Sequence, residues 1–199
     1  MTRSRMEAFS DGVIAILITI MVLELGTPEH GSFEDLIPLT PVLLSYILSF
    51  VFLAIYWNNH HHMLQAVRHV DGRILWANMH LLFWLSLVPF TTSWMGESHF
   101  AADPVTAYGI DLLMCAIAYY LLVRALLARH ESDSHFARAV GNDVKGRLSL
   151  LIYAVSLPIA QFQPVIACVI YAIVAVMWLI PDRRFENQLR EAGRDPNGR

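Results

Sequence analysis

Arg5-Met6-Glu7-Ala8-Phe9-Ser10-Asp11-Gly12-Val13-Ile14-Ala15-Ile16-Leu17-Ile18-Thr19-Ile20-Met21-Val22-Leu23-Glu24 is the stretch that decides the fold. It is long and apolar enough to cross a bilayer as a helix, since about 30 Å of hydrocarbon takes roughly 20 helical residues. Arg3 and Arg5 precede it as they would a signal peptide. Asp11 inside the run, and the lack of a small-residue cleavage site before Thr27-Pro28, mark it instead as a retained helix. A carboxylate such as Asp11 in a membrane helix is costly and is expected to be paired, or solvated near the helix end.

The rest of the chain has the same character. Of 199 residues, 56% are hydrophobic and 16% charged, and the mean hydropathy is +0.47. That is too apolar for a single water-soluble core, and the charges fall between long apolar runs. Five further runs follow the first, at about Leu36–Trp57, Ile74–Met95, Pro104–Leu127, Leu148–Phe162 and Pro164–Ile180. Pro38 and Pro41 open the second, Asp103 stands as an N-cap for the fourth, and the last two turn around Gln161–Pro164. The expected fold is all-α and polytopic: six transmembrane helices in a domain over residues 1–181, then a polar tail over 182–199.

Charge fixes the orientation, because Lys and Arg flanking membrane helices stay on the cytoplasmic side. With six spans and the N-terminus inside, all 14 Lys and Arg fall on one side, from Arg3 and Arg5 through Arg68, Arg73, Arg124 and Lys145 to Arg199. The opposite loops carry Glu29, Glu34, Asp35, Glu97 and Asp103 and no cation. Both termini are therefore expected in the cytoplasm. A net charge of −3 gives no reason to expect nucleic acid as a partner. Cys115 and Cys168 lie in apolar runs and read as small buried hydrophobes.

At 100° per residue Ile16, Ile20 and Leu23 fall within about 60° of one another, with Asp11 almost opposite. Such a stripe lies against lipid, in a core, or along an aqueous axis. Asp11 and Ser10 share their depth with Trp57-Asn58-Asn59-His60-His61-His62 and with Trp76, Asn78 and His80, so a hydrogen-bonded cluster with His80, Asn78 or one of the three histidines is geometrically open. Three consecutive histidines point 100° apart on a helix and no Cys or carboxylate stands beside them at ligand spacing, so no metal site is expected. Asp111, a second intramembrane carboxylate, lies near enough to the outer end of the fourth run to be able to snorkel to water. Thr19 lines a pore or bonds back to its own helix. Nucleophile-elbow, zinc-protease and phosphate-loop patterns are absent, and no enzyme or cofactor is expected.

With Phe9-Ser10-Asp11 and its flanks Arg5, Gly12, Thr19, Leu23 and Glu24, the chain resembles bacterial members of the potassium channel family named after the endolysosomal transmembrane protein 175. Tyr56-Trp57 with His60–His62, and Asn78 with Pro89-Phe90-Thr91-Thr92, extend the resemblance over nearly the whole chain. It implies a homotetrameric channel of the bacterial inner membrane, modestly selective for potassium over sodium, with the first helices around the pore. It places a hydrophobic constriction on Ile16, Ile20 and Leu23, with Thr19 and Gly12 lining the pore beside it. It further implies a buried polar network of Arg5, Phe9, Ser10 and Asp11, with His80 the preferred partner and Asn78 a substitute. There is no Thr-Val-Gly-Tyr-Gly filter, so selectivity needs another source. The alternatives are a proton-coupled secondary transporter using Asp11 and His80, and a non-conducting membrane scaffold recruiting a partner through its tail.

Overall fold

The computed structural model describes residues 2–28, 31–65, 67, 70–129 and 144–179, and is all-helical there. The tail over 182–199 and Glu29 lie outside the described residues. In order, α1 spans Arg3–Met21, α2 Thr40–Gln65, α3 Gly72–Leu85, α4 Val88–Glu97, α5 Ala102–Leu127, α6 Val144–Phe162 and α7 Pro164–Leu179.

Among the described residues, four segments are long and apolar enough to cross a membrane: Arg3–Leu25, Thr40–Gln65, Gly72–Glu97 and Ala102–Leu127. α7 is a shorter apolar helix, and α6 carries Lys145 and Arg147 in its first turn. The protein is a multi-pass membrane protein.

The boundaries follow local chemistry, sometimes against expectation. α1 starts with Thr2 as N-cap, its side chain accepting from the Arg5 N–H. It tightens into a 3-10 turn over Val22–Leu25 and stops at Gly26, whose φ of 67° suits glycine. The second span begins later than expected, after a separate 3-10 turn over Phe33–Leu36, and runs past Trp57, so His60–His62 lie within the helix. The third is broken in two at Ser86-Leu87. Pro89 has no N–H to offer the Leu85 carbonyl and its ring crowds that group, so a continuous helix fails there. Asp103 is not the N-cap of α5. Ala101 holds that place with no side-chain bond, and Asp103 sits in the first turn, accepting from Gln161 Nε2 at 3.3 Å.

Two apolar clusters hold the bundle. One joins α1, α2, α3 and α5 through Met6, Ile14, Leu53, Leu81 and Leu122. The other joins α2, α4, α5, α6 and α7 through Phe52, Met95, Tyr108, Tyr153 and Tyr171. Water-driven burial does not distinguish helix from lipid inside a bilayer, so close approach and polar bonds matter more. Gly96 lets α4 come so near α2 that an added Cβ would lie 2.8 Å from Val42 Cα. At Gly109 the same atom would collide with the Tyr171 hydroxyl. Between helices, Thr92 Oγ1 donates to Ser49 Oγ at 2.6 Å, and Ser49 pairs with the Tyr108 hydroxyl at 2.9 Å. Asp111 does not snorkel. It is buried and accepts from Thr91 Oγ1 at 3.0 Å.

Candidate functional site

The two faces of α1 have opposite fates. Met6, Ser10, Ile14, Leu17 and Met21 recur at helical spacing and are buried against the bundle. Phe9, Ile16, Ile20 and Leu23 are 49%, 57%, 38% and 76% exposed, and Gly12 and Thr19 share that side. Leu23 sits in the 3-10 turn, where the rotation per residue is larger, and still projects outward. The stripe isolated by helical spacing is thus a continuous apolar face with no partner among the described residues of the protomer. Its one hydroxyl, on Thr19, donates to the Ile16 carbonyl at 2.9 Å. At the end beyond Leu23, Ser93 Oγ lies 3.2 Å from both Glu24 Oε2 and Glu97 Oε1. That end of the face is acidic.

Polar bonds anchor the buried side of α1. Ser10 Oγ donates to the Met6 carbonyl at 2.9 Å and accepts from Asn78 Nδ2 at 2.9 Å; Asn78 Oδ1 pairs with His60 Nε2 at 2.7 Å. All three side chains are buried, so the chain Ser10–Asn78–His60 ties α1 to α3 and α2. Asp11 is half-buried and takes the indole N–H of Trp57 at 3.0 Å. The partner of this network is therefore Asn78 with His60, and not His80. His80 accepts the Trp84 indole N–H at 2.9 Å, one helical turn along its own helix. Arg5 and Phe9 also stand outside the buried network, both being exposed on the protomer. Asn78 and His80 are two residues apart on one helix, so they face different ways.

Sequence spacing also missed a second neighbourhood. Glu7 and Asp11, four residues apart on α1, meet His61 of α2, with one donor atom from each within 4.8 Å of the others. The carboxylates absent beside the histidines in sequence come from another helix.

At the end carrying Arg3, Asp71 caps α3 by accepting the Ile74 N–H at 3.0 Å and pairs with Arg129 after α5. The Ile74 N–H first, then the Arg129 guanidinium, hold its carboxyl below the ordinary range.

A profile described as "Endosomal/lysosomal potassium channel TMEM175" matches residues 5–89, which hold most of α1, all of α2 and α3, and the Ser10–Asn78–His60 chain. A potassium channel of Chryseobacterium sp. (strain P1-3) is 51% identical over 191 residues, covering 96% of this chain and all of that one. The crystal structure of a lysosomal potassium-selective channel TMEM175 homolog from Chamaesiphon minutus superposes with a TM-score of 0.80 at 27% identity, over 89% of this chain and 96% of that one. The endosomal/lysosomal proton channel TMEM175 of Danio rerio is 27% identical over 129 residues, 62% of this chain and 24% of that one. The chain belongs to the TMEM175 channel family.

Proposed function

We propose that the protein is the subunit of a homotetrameric cation channel of the bacterial inner membrane, modestly selective for potassium over sodium, with both termini cytoplasmic. Four copies of α1 surround the pore. One observation carries this reading: α1 buries Met6, Ser10, Ile14, Leu17 and Met21 and leaves Ile16, Ile20 and Leu23 on an unpartnered face. That relatives are named as potassium channels supports the reading.

Rings of Ile16, Ile20 and Leu23 would narrow the pore until it dewets, shutting out ions unless the α1 helices tilt or rotate apart. Thr19 donates its proton to Ile16 and keeps its oxygen lone pairs for a cation that has shed water. Glu24 and Glu97, with Glu34 and Asp35, would make the outer mouth acidic and concentrate cations there, an effect that salt screens over about 8–10 Å. The Ser10–Asn78–His60 chain and the Asp11–Trp57 bond act as the frame on which α1 stands. The carrier reading would need a relay between Asp11 and His80, which engage different tryptophans.

Potassium flux into proteoliposomes, with sodium and proton gradients imposed separately, tests the proposal. A potential-generating potassium leak that is faster than the sodium leak and independent of proton gradients supports it. Flux only against a counter-moving proton would establish the carrier instead, and a proton leak without potassium would align the chain with the relatives named proton channels.

A further inference from the structure

We infer that Glu7 and Asp11 of α1, with His61 of α2, form a binding site for a divalent transition-metal cation of the zinc type. The two carboxylates lie one turn apart on the same face of α1, and one donor atom from each of the three residues lies within 4.8 Å of the others. A tetrahedral zinc site spaces its ligands about 3.4 Å apart, given metal–ligand distances near 2.1 Å, so closure needs side-chain adjustments of only about 1 Å.

A second observation concerns the orientation of the histidine. His61 Nδ1 lies 3.2 Å from Glu7 Oε1 without hydrogen-bond geometry, on a ring that is 32% exposed, and like Nδ1 of His60 and His62 that atom is buried without a hydrogen-bond partner among the described residues; of the three, only His61 faces carboxylates of α1. The other ring nitrogen is already engaged, 2.8 Å from the Gln65 amide. The ring itself stacks on Trp57, with centroids 5.8 Å apart and planes 19° from parallel. Trp57 in turn donates its indole N–H to Asp11 Oδ1. This is the arrangement that orients metal ligands: the second nitrogen of the histidine is held from behind, and a carboxylate is fixed by an outer hydrogen bond.

The donor set selects the ion. One imidazole nitrogen and two carboxylates, with a water completing the shell, suit zinc, cobalt or nickel. Calcium takes six to eight oxygens and magnesium a near-ideal octahedron, neither of which three side chains with one nitrogen supply. Arg3 lies 3.9 Å from Glu7 and also donates to the carbonyls of Gln65 and Val67. The bound ion would clamp α1 to α2.

The test is calorimetric titration of zinc chloride into the purified, chelator-stripped oligomer in detergent. The expected result is one zinc per chain, at least tenfold weaker in both Glu7→Gln and His61→Ala, and unaltered in His99→Ala, which removes an exposed histidine far from the site. Gel filtration of each variant shows whether the oligomer survives. A cobalt titration of the wild-type protein gives a second readout, with visible absorption expected for nitrogen and oxygen ligation in a four-coordinate site. Absence of stoichiometric zinc and cobalt binding by the wild type overturns the inference, as does wild-type affinity in both variants. The titration reads binding alone and does not depend on which ion the pore conducts.

Discussion

Replacing Asn78 with alanine removes the link between α1 and its two neighbours, and the structure sets the size of the loss. Ser10 and His60 are fully buried and Asn78 is 1% exposed. The amide receives His60 Nε2 at 2.7 Å and donates to Ser10 Oγ at 2.9 Å. In the alanine variant Ser10 keeps its bond to the Met6 carbonyl, but Ser10 and His60 both lose the amide and the His60 nitrogen is orphaned. Interhelical hydrogen bonds in membranes average only about 0.6 kcal/mol net. An orphaned buried polar group costs more, about 1–3 kcal/mol, and the void left by the amide adds roughly 1 kcal/mol. The expected loss is thus about 2–4 kcal/mol, or roughly 30- to 1000-fold in the ratio of folded to unfolded protein. Thermal and denaturant unfolding of the detergent-solubilised protein reads it, with Asn58→Ala as an exposed control expected within about 0.5 kcal/mol of wild type. An Asn78→Ala protein as stable as that control would refute the assignment of this chain as the anchor of α1.

Three further perturbations probe other parts of the account. Gly109→Ala drives a methyl group into the Tyr171 hydroxyl and is expected to cost about 1–3 kcal/mol; Tyr171→Phe in the same chain should recover part of the loss, and purely additive effects would count against the contact. Asp71 has a lower pKa folded than unfolded, chiefly from the Ile74 N–H and then Arg129. Its contribution is complete above the unfolded value of about 4 and is lost as the pH falls through the lowered folded value. Asp71→Asn should therefore flatten the stability profile below about pH 4, and an unchanged acid limb would contradict the assignment. Trp57→Phe removes the indole donor to Asp11 and should cost about 1 kcal/mol at this half-exposed site while leaving ion preference unchanged; altered potassium-to-sodium preference would mean that Asp11 does more than hold its helix.

Sequence reading reached the helices and the exposed stripe because both rest on local rules. Span length follows from bilayer thickness, and the angles between Ile16, Ile20 and Leu23 follow from helix pitch. The break in the third span is legible in Pro89, whose effect on the Leu85 carbonyl is local. Tertiary partners were less legible. Asn78 and His80 lie at nearly the same depth, and only the rotation of α3 against α1 decides which one meets Ser10. Asp111 illustrates the same limit: its depth suggested an escape to water, but Thr91 on α4 supplies a partner inside the bundle. The meeting of Glu7 and Asp11 with His61 depends on how α1 crosses α2, for which sequence spacing gives no rule.

Potassium and sodium flux through Ile16→Asn and Leu23→Asn in proteoliposomes, set against wild type, tests most directly whether the outward stripe of α1 is the constriction. A polar side chain in a dewetted ring admits water, so both variants should leak more potassium and discriminate less against sodium. Wild-type flux and discrimination in both would contradict the account, because a face against lipid or another subunit has no reason to govern either.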